Sequence, residues 1–121
     1  MAERGAIVIT WGGQRAGVAP TKGLEVFAKA LGYYDELAKE GRISGYRVYA
    51  SAQQSSGMLV IEGALTSLCQ IQIDQNNLNL LAMASLVVND IRAELCVGGS
   101  PDDATQYYMN GLQASTEAGL A

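Results

Sequence analysis

The chain has no histidine at all among its 121 residues. That removes the usual general base and the commonest metal ligand, so Ser-His-Asp and Cys-His arrangements are excluded at the outset. There are two cysteines, Cys69 and Cys96, far apart and set inside apolar patterns. Two thiols without histidine do not compose a zinc site, and their setting predicts reduced, buried core residues rather than a disulfide framework. There are two prolines, each at a predicted helix start, and no metal or cofactor is implied. Charge is scarce too: 17% of residues are charged and 49% hydrophobic, so little of the surface is defended by charge. The eight Lys and Arg are scattered and the net charge is −4, which argues against a nucleic-acid partner. No apolar run approaches membrane-spanning length and the N-terminus lacks a signal-peptide pattern, so a soluble cytoplasmic protein without membrane contact is expected. The length suits a single domain over residues 1–121.

What is present is a pattern of elements built around a hairpin. Tyr46 to Ala52 and Met58 to Gly63 read as two strands joined by the polar run Gln53–Gly57. The first arm has the mixed faces of an edge strand; the second is apolar on both faces until Glu62 and should pair with the N-terminal strand. That strand, Ala6 to Trp11, is β-branched and aromatic, is closed by Gly12-Gly13, and should be central. Pro20-Thr21 opens a helix with Thr21 as N-cap, and Leu24, Phe27, Ala28, Leu31, Tyr34 and Leu37 form its apolar stripe up to a C-cap at Gly41. Gly32 inside it suggests close packing on the sheet.

Beyond the hairpin, Leu65 to Val88 divides into two helical pieces, the second capped by Asp74. The run Leu78 to Val88 is so uniformly apolar that periodicity does not locate its end. The expected handover to strand is near Ala84, with the last strand inside Leu86 to Val97, bent around Asn89-Asp90, and Ala93, Leu95 and Val97 on one face. Ser100-Pro101-Asp102-Asp103 is a strong helix start, with Ser100 as cap. Ala104, Tyr107, Tyr108, Gly111 and Leu112 form the stripe of that last helix, and Ser115 to Ala121 should fray.

Strand, helix, hairpin, helix, strand is the α+β, ferredoxin-like βαββαβ order. It predicts a four-stranded antiparallel sheet with the main helices on one face, plus an extra C-terminal helix. The other sheet face is then bare and partly apolar, and a second copy of the chain is the simplest cover, giving a homodimer through sheet faces. The pair Trp11-Gly12, the helix Leu24-Glu25-Val26-Phe27, the lead Gly41-Arg42-Ile43 and the segment Ala84 to Gly99 resemble small uncharacterised bacterial proteins of the dimeric α+β barrel superfamily. The resemblance implies fold and dimer; function is a separate matter, since that superfold hosts many chemistries. Those relatives carry Gly-Arg-Glu where this chain has Gly17-Val18-Ala19, so a charged site on that triplet is not carried over. The histidine that holds haem in some members is missing as well.

Candidate chemistry is thin. Gly12-Gly13 with Gly17 reads as a turn, because neither a phosphate-loop Lys-Ser/Thr nor a dinucleotide fingerprint follows. Asp102 and Asp103 read as helix-start charges. Glu62 is either an ion-paired, solvated carboxylate or, if desolvated, a base. Trp11, Tyr46 and Tyr49 either pack in the core and dimer seam or line a ligand pocket with Arg15 at its mouth. Two functions follow: a non-catalytic structural or small-ligand-binding homodimer with a possible hydrophobic ligand, or a cofactor-free enzyme of the monooxygenase or isomerase kind acting on an aromatic or enolisable molecule. The enzyme requires a cavity of roughly a few hundred Å3 lined by Trp11 and tyrosines, with Glu62 or Arg15 pointing inward.

Overall fold

A computed structural model describes residues 3–120 of the chain. The elements run β1 (Arg4–Trp11), α1 (Pro20–Lys39), β2 (Gly45–Ala50), β3 (Gly57–Ala64), α2 (Leu65–Ile73), α3 (Gln75–Val87), β4 (Arg92–Val97) and α4 (Pro101–Glu117). The four strands form one antiparallel sheet in the order β2-β3-β1-β4, so the expected ferredoxin-like order holds, with β1 central and β2 at an edge. Alternation along the strands decides which face is covered. Ile7 and Ile9 of β1 and Leu59 and Ile61 of β3 are buried, with Tyr34 and Leu37 of α1 and Leu68 and Ile71 of α2 packed on them. The opposite face carries Ala6, Val8, Val60 and Cys96, none fully buried, beside exposed Tyr49 and Met58.

Several boundaries differ from expectation. Helix α1 begins at Pro20 with Ala19 in the cap position and no side-chain cap, so Thr21 lies inside the first turn. Proline already holds the φ that the first helical position needs. The other end is as expected: Gly41 takes φ 75°, Gly41 N–H donates to Ala38 O (3.1 Å) and Arg42 N–H to Leu37 O (2.9 Å). That paired closure requires a left-handed residue, which glycine supplies without a Cβ penalty. Ala28 is exposed, and the inward stripe instead passes through Phe27, Ala30 and Tyr34.

Asp74 ends α2 and caps α3, its side chain accepting from Asn76 N–H. Helix α3 continues past Ala84 to Val87, and β4 starts only at Arg92. The turn falls at Asn89-Asp90, where Asp90 takes φ 54°. Gly12 N–H donates to Asn89 O (2.7 Å) and Asn89 N–H to Gly13 O (2.8 Å), so this segment is tied to the loop after β1 and does not extend the last strand. The bend was visible in Asn-Asp, both tolerant of the left-handed region, whereas the apolar run before it gave no stop signal. Ala93, Leu95 and Val97 do share the covered face, opposite Ile9, Ile7 and Gly5.

Two further expectations are overturned. Cys69 is exposed on α2 and Cys96 half-buried on the open sheet face, so neither is a core thiol. The buried positions of α2 are Leu68 and Ile71, which turns Cys69 outward. Ser100 caps α4 as expected, accepting from Asp103 N–H (3.1 Å), but the helix keeps its form to Glu117 and closes on Gly119 at φ 75°, with Leu120 N–H donating to Ser115 O (2.8 Å). Ser115 to Glu117, expected to fray, are thus placed inside the helix, and Ala118 to Leu120 form its closing turn; Ala121 lies outside the described residues. Tyr107, Tyr108 and Leu112 are all exposed, so the α4 stripe is not buried within this chain.

Gly32 has no neighbour within 4 Å of where a Cβ would stand, so it makes no close approach to the sheet. Gly32→Ala should therefore stabilise the fold by about 0.5–1 kcal/mol in urea unfolding, because it removes backbone entropy from the unfolded chain at an ordinary helical site. A loss of stability would mean that the position is crowded.

Candidate functional site

Helices α1 and α3 run antiparallel over the sheet and are fastened at one end by tyrosines. Tyr34 donates from its hydroxyl to Asn77 Oδ1 (2.8 Å); both residues are buried, at 1% and 2% exposure. Tyr33 donates to Asp74 Oδ2 (3.1 Å), and Arg42 lies 3.5 Å from the same oxygen. Burial, then the Asp74 hydrogen bond, pushes the Tyr33 phenol up to about 12, and burial pushes Tyr34 higher still. Both are neutral hydrogen-bond donors across the physiological range. The Asp74 carboxyl is held below the usual carboxylate range, first by Asn76 N–H and further by Tyr33 and Arg42, against partial desolvation.

Away from that fastening lies a cleft of about 720 Å3. Its floor is Ile9, Trp11 and Leu59 of the sheet; one wall is Leu24, Phe27 and Ala30 of α1, the other Leu80, Leu81 and Ala84 of α3, and Tyr34 closes the fastened end. Leu24 is 67% exposed because it stands on an open wall. Among the described residues no Lys, Arg, Asp or Glu lines the cleft; its polar side chains beyond Trp11 and Tyr34 are Gln14 and Ser55. Gln14 donates its amide to Val18 O (2.8 Å). The Trp11 ring meets Phe27 edge-on at 6.2 Å and lies across Gly57, its partner on β3. A Cβ on Gly57 would stand 2.7 Å from Trp11 Cε2 and 3.0 Å from Nε1, so the indole occupies the space that only glycine leaves.

Of the five residues singled out in the sequence, only Trp11 lines this cleft. Arg15 donates from Nε to Ser85 O (2.7 Å), placing a cation at the C-terminal end of α3, where the helix dipole favours one. Tyr46 donates to Asp35 Oδ1 (2.6 Å), a tie from β2 to α1 that raises its pKa. Tyr49 stands exposed on the open sheet face, and Glu62 is on that face too, 3.3 Å from Arg47. The tyrosine at the cleft is Tyr34. It and Phe27 were already in the α1 stripe; the α3 wall follows the three- and four-residue spacing of Leu80, Ala84 and Val87, a signal masked by the apolar run around it. Among the described residues, no three His, Cys, Asp or Glu lie close enough together to hold a metal.

This geometry belongs to a ferredoxin-like α+β domain with a cleft between its helices and sheet. No protein-family model matches the chain, and no curated protein matches it. Solved structures do match in fold. A conserved protein of unknown function from Bacteroides thetaiotaomicron, described as a possible oxidoreductase, aligns with TM-score 0.59 at 10% identity over 80% of this chain and 98% of its own. A dimeric protein of unknown function and ferredoxin-like fold from Bacteroides fragilis gives 0.57 at 11%, covering 78% and 96%. A dimeric ferredoxin-like protein of unknown function from Thermobifida fusca gives 0.55 at 15%, covering 79% and 92%. Agreement at this identity is agreement in fold, the level at which the resemblance to the dimeric α+β barrel proteins is borne out.

Three outcomes follow. Tyr34→Phe leaves the buried Asn77 oxygen without its donor and should destabilise the protein by about 1–3 kcal/mol in denaturant unfolding; an unchanged midpoint would show the bond to be dispensable. Gly57→Ala must move the indole. Because Trp11 is the only tryptophan, its emission maximum should shift, with a stability loss of about 1–3 kcal/mol from overpacking. For Asp74, a lowered folded pKa means a contribution present above the unfolded carboxylate value, about 4, and lost as pH falls through the folded value. The melting temperature of Asp74→Ala should thus lie below wild type at pH 7, and the gap should narrow between about pH 5 and pH 2. A gap independent of pH would contradict the ionic role.

Proposed function

We propose that the protein is a non-catalytic homodimer that holds a small neutral apolar molecule in the cleft between α1, α3 and the sheet. The observation that carries this reading is a cavity of about 720 Å3 whose lining, among the described residues, has no charged side chain. Ligand sites are typically concave and mostly apolar, of about 300–1,000 Å3, with a few polar groups. Catalysis has little to work with there. Among the described residues Tyr34 is the lone titratable side chain on the lining; it is tied to Asn77, and burial raises its pKa. Arg15 and Glu62 are both engaged elsewhere. Trp11 is the one residue kept from the sequence-derived ligand set; Arg15, Tyr46, Tyr49 and Glu62 belong to the scaffold and the sheet face in this reading.

The dimer is supported by the open sheet face, where Ala6, Val8 and Val60 make a part-exposed apolar centre beside the Arg47–Glu62 pair, and by the dimeric description of two fold neighbours. A single domain in the cytoplasm of a bacterial cell, without nucleic acid or membrane as partner, is part of the same reading. No helix among the described residues is long and apolar enough to cross a membrane.

The alternative, a cofactor-free monooxygenase- or isomerase-like enzyme, draws on the size of the cleft and on the possible oxidoreductase among the neighbours. Among the described residues it has no charged side chain on the cleft lining to draw on.

Titration with the neutral dye N-phenyl-1-naphthylamine tests binding: saturable fluorescence enhancement with micromolar affinity is expected, and no enhancement would remove the ligand reading. Light scattering should give twice the 12.8 kDa chain mass, falling to one chain in Val60→Arg. A wild-type monomer would end the dimer reading. Oxygen uptake or product formation with bound 1-naphthol would favour the enzyme instead.

A further inference from the structure

We propose that Trp11, seated on Gly57, selects among ligands of the cleft by donating its indole N–H to one hydrogen-bond acceptor on an otherwise apolar, neutral molecule. The inference rests on the cleft being a ligand site and adds what kind of ligand it takes. Trp11 is on the cleft floor, and its ring is held between Phe27 and the bare backbone of Gly57. A ring fixed from two sides presents its N–H in one direction at small entropic expense, as a specificity contact requires.

That N–H has no acceptor among the described residues, whereas Tyr34 and Gln14 on the same lining are occupied, donating to Asn77 and to Val18 O; the other free polar side chain there is Ser55, on the loop before β3. Indole nitrogen is a donor only, so its complement is an acceptor such as a ketone, ester or ether oxygen. The rest of the lining sets the remaining terms. Aliphatic and aromatic walls favour a flat hydrocarbon body, and the absence of any charged lining residue disfavours an ion, since a buried unpaired charge is costly. A site built to bond a particular group rejects the isostere that lacks it, because its own polar atom is then left unpaired.

The test compares 2-acetylnaphthalene with 2-isopropylnaphthalene, nearly equal in shape and differing in the acceptor, as competitors of N-phenyl-1-naphthylamine on the full chain labelled with 15N. With a single tryptophan there is a single indole N–H resonance, and it should move downfield with the ketone and not with the hydrocarbon. The ketone should bind roughly 3- to 10-fold tighter, the span of one net hydrogen bond. In Trp11→Phe both should still bind with that ratio near one, while Ser55→Ala should keep it. Equal affinity of the two probes for wild type, or a ratio lost in Ser55→Ala and kept in Trp11→Phe, overturns the proposal with the cleft reading intact. If neither probe displaces the dye and the dye itself does not bind, the cleft reading fails first and takes this inference with it. The wild-type resonance decides the matter even if Trp11→Phe folds poorly.

Discussion

The hydrogen bond from Tyr34 to Asn77 is the contact on which the arrangement of this protein most depends. It joins α1 to α3 inside the core, where an unmatched polar atom would be expensive, so the two helices are held in one register. Tyr33, Asp74 and Arg42 repeat the fastening at the rim, and Asp74 also begins α3. The helices are thus fixed at one end, and beyond the tyrosines the walls are apolar, Leu24, Phe27 and Ala30 on α1 and Leu80, Leu81 and Ala84 on α3, with no polar pin between them, which leaves space above Trp11. The cleft is a consequence of where the polar pins stop.

The sheet divides the labour between its faces. Ile7, Ile9, Leu59 and Ile61 make the core that supports the helices, while alternate residues of the same strands remain uncovered within one chain. Scarce charge and a half-apolar open face point the same way, toward the proposed second copy; the cleft lies on the helix side, clear of that face, so the proposed assembly and the proposed ligand site need not compete.

Much of the fold was legible because its signals were local. The strand-helix-hairpin-helix-strand order, the closure at Gly41, the caps at Asp74 and Ser100 and the face shared by Ala93, Leu95 and Val97 each follow from a few neighbouring residues. The end of α3 was not legible, since Leu78 to Val88 offers no period and its stop is set where Asn89 accepts from Gly12 N–H and donates to Gly13 O, far away in sequence. The site was harder for the same reason. Trp11 ends a strand and could be singled out, but Arg15, Tyr46 and Glu62 find partners on other elements, and which polar side chain stays free is decided by tertiary pairing. The exposure of Cys69 and Cys96 has that origin as well: both sit in apolar patterns, yet one turns out from α2 and the other lies on the uncovered sheet face.

The most direct test of the central claim fills the cleft from both walls at once. In a protein carrying Ala30→Phe and Ala84→Phe, two rings enter the space between α1 and α3, and affinity for N-phenyl-1-naphthylamine should fall more than about tenfold while the unfolding midpoint holds or rises, as expected when a void is filled without strain. Undiminished binding in that variant would place the ligand elsewhere and contradict the account.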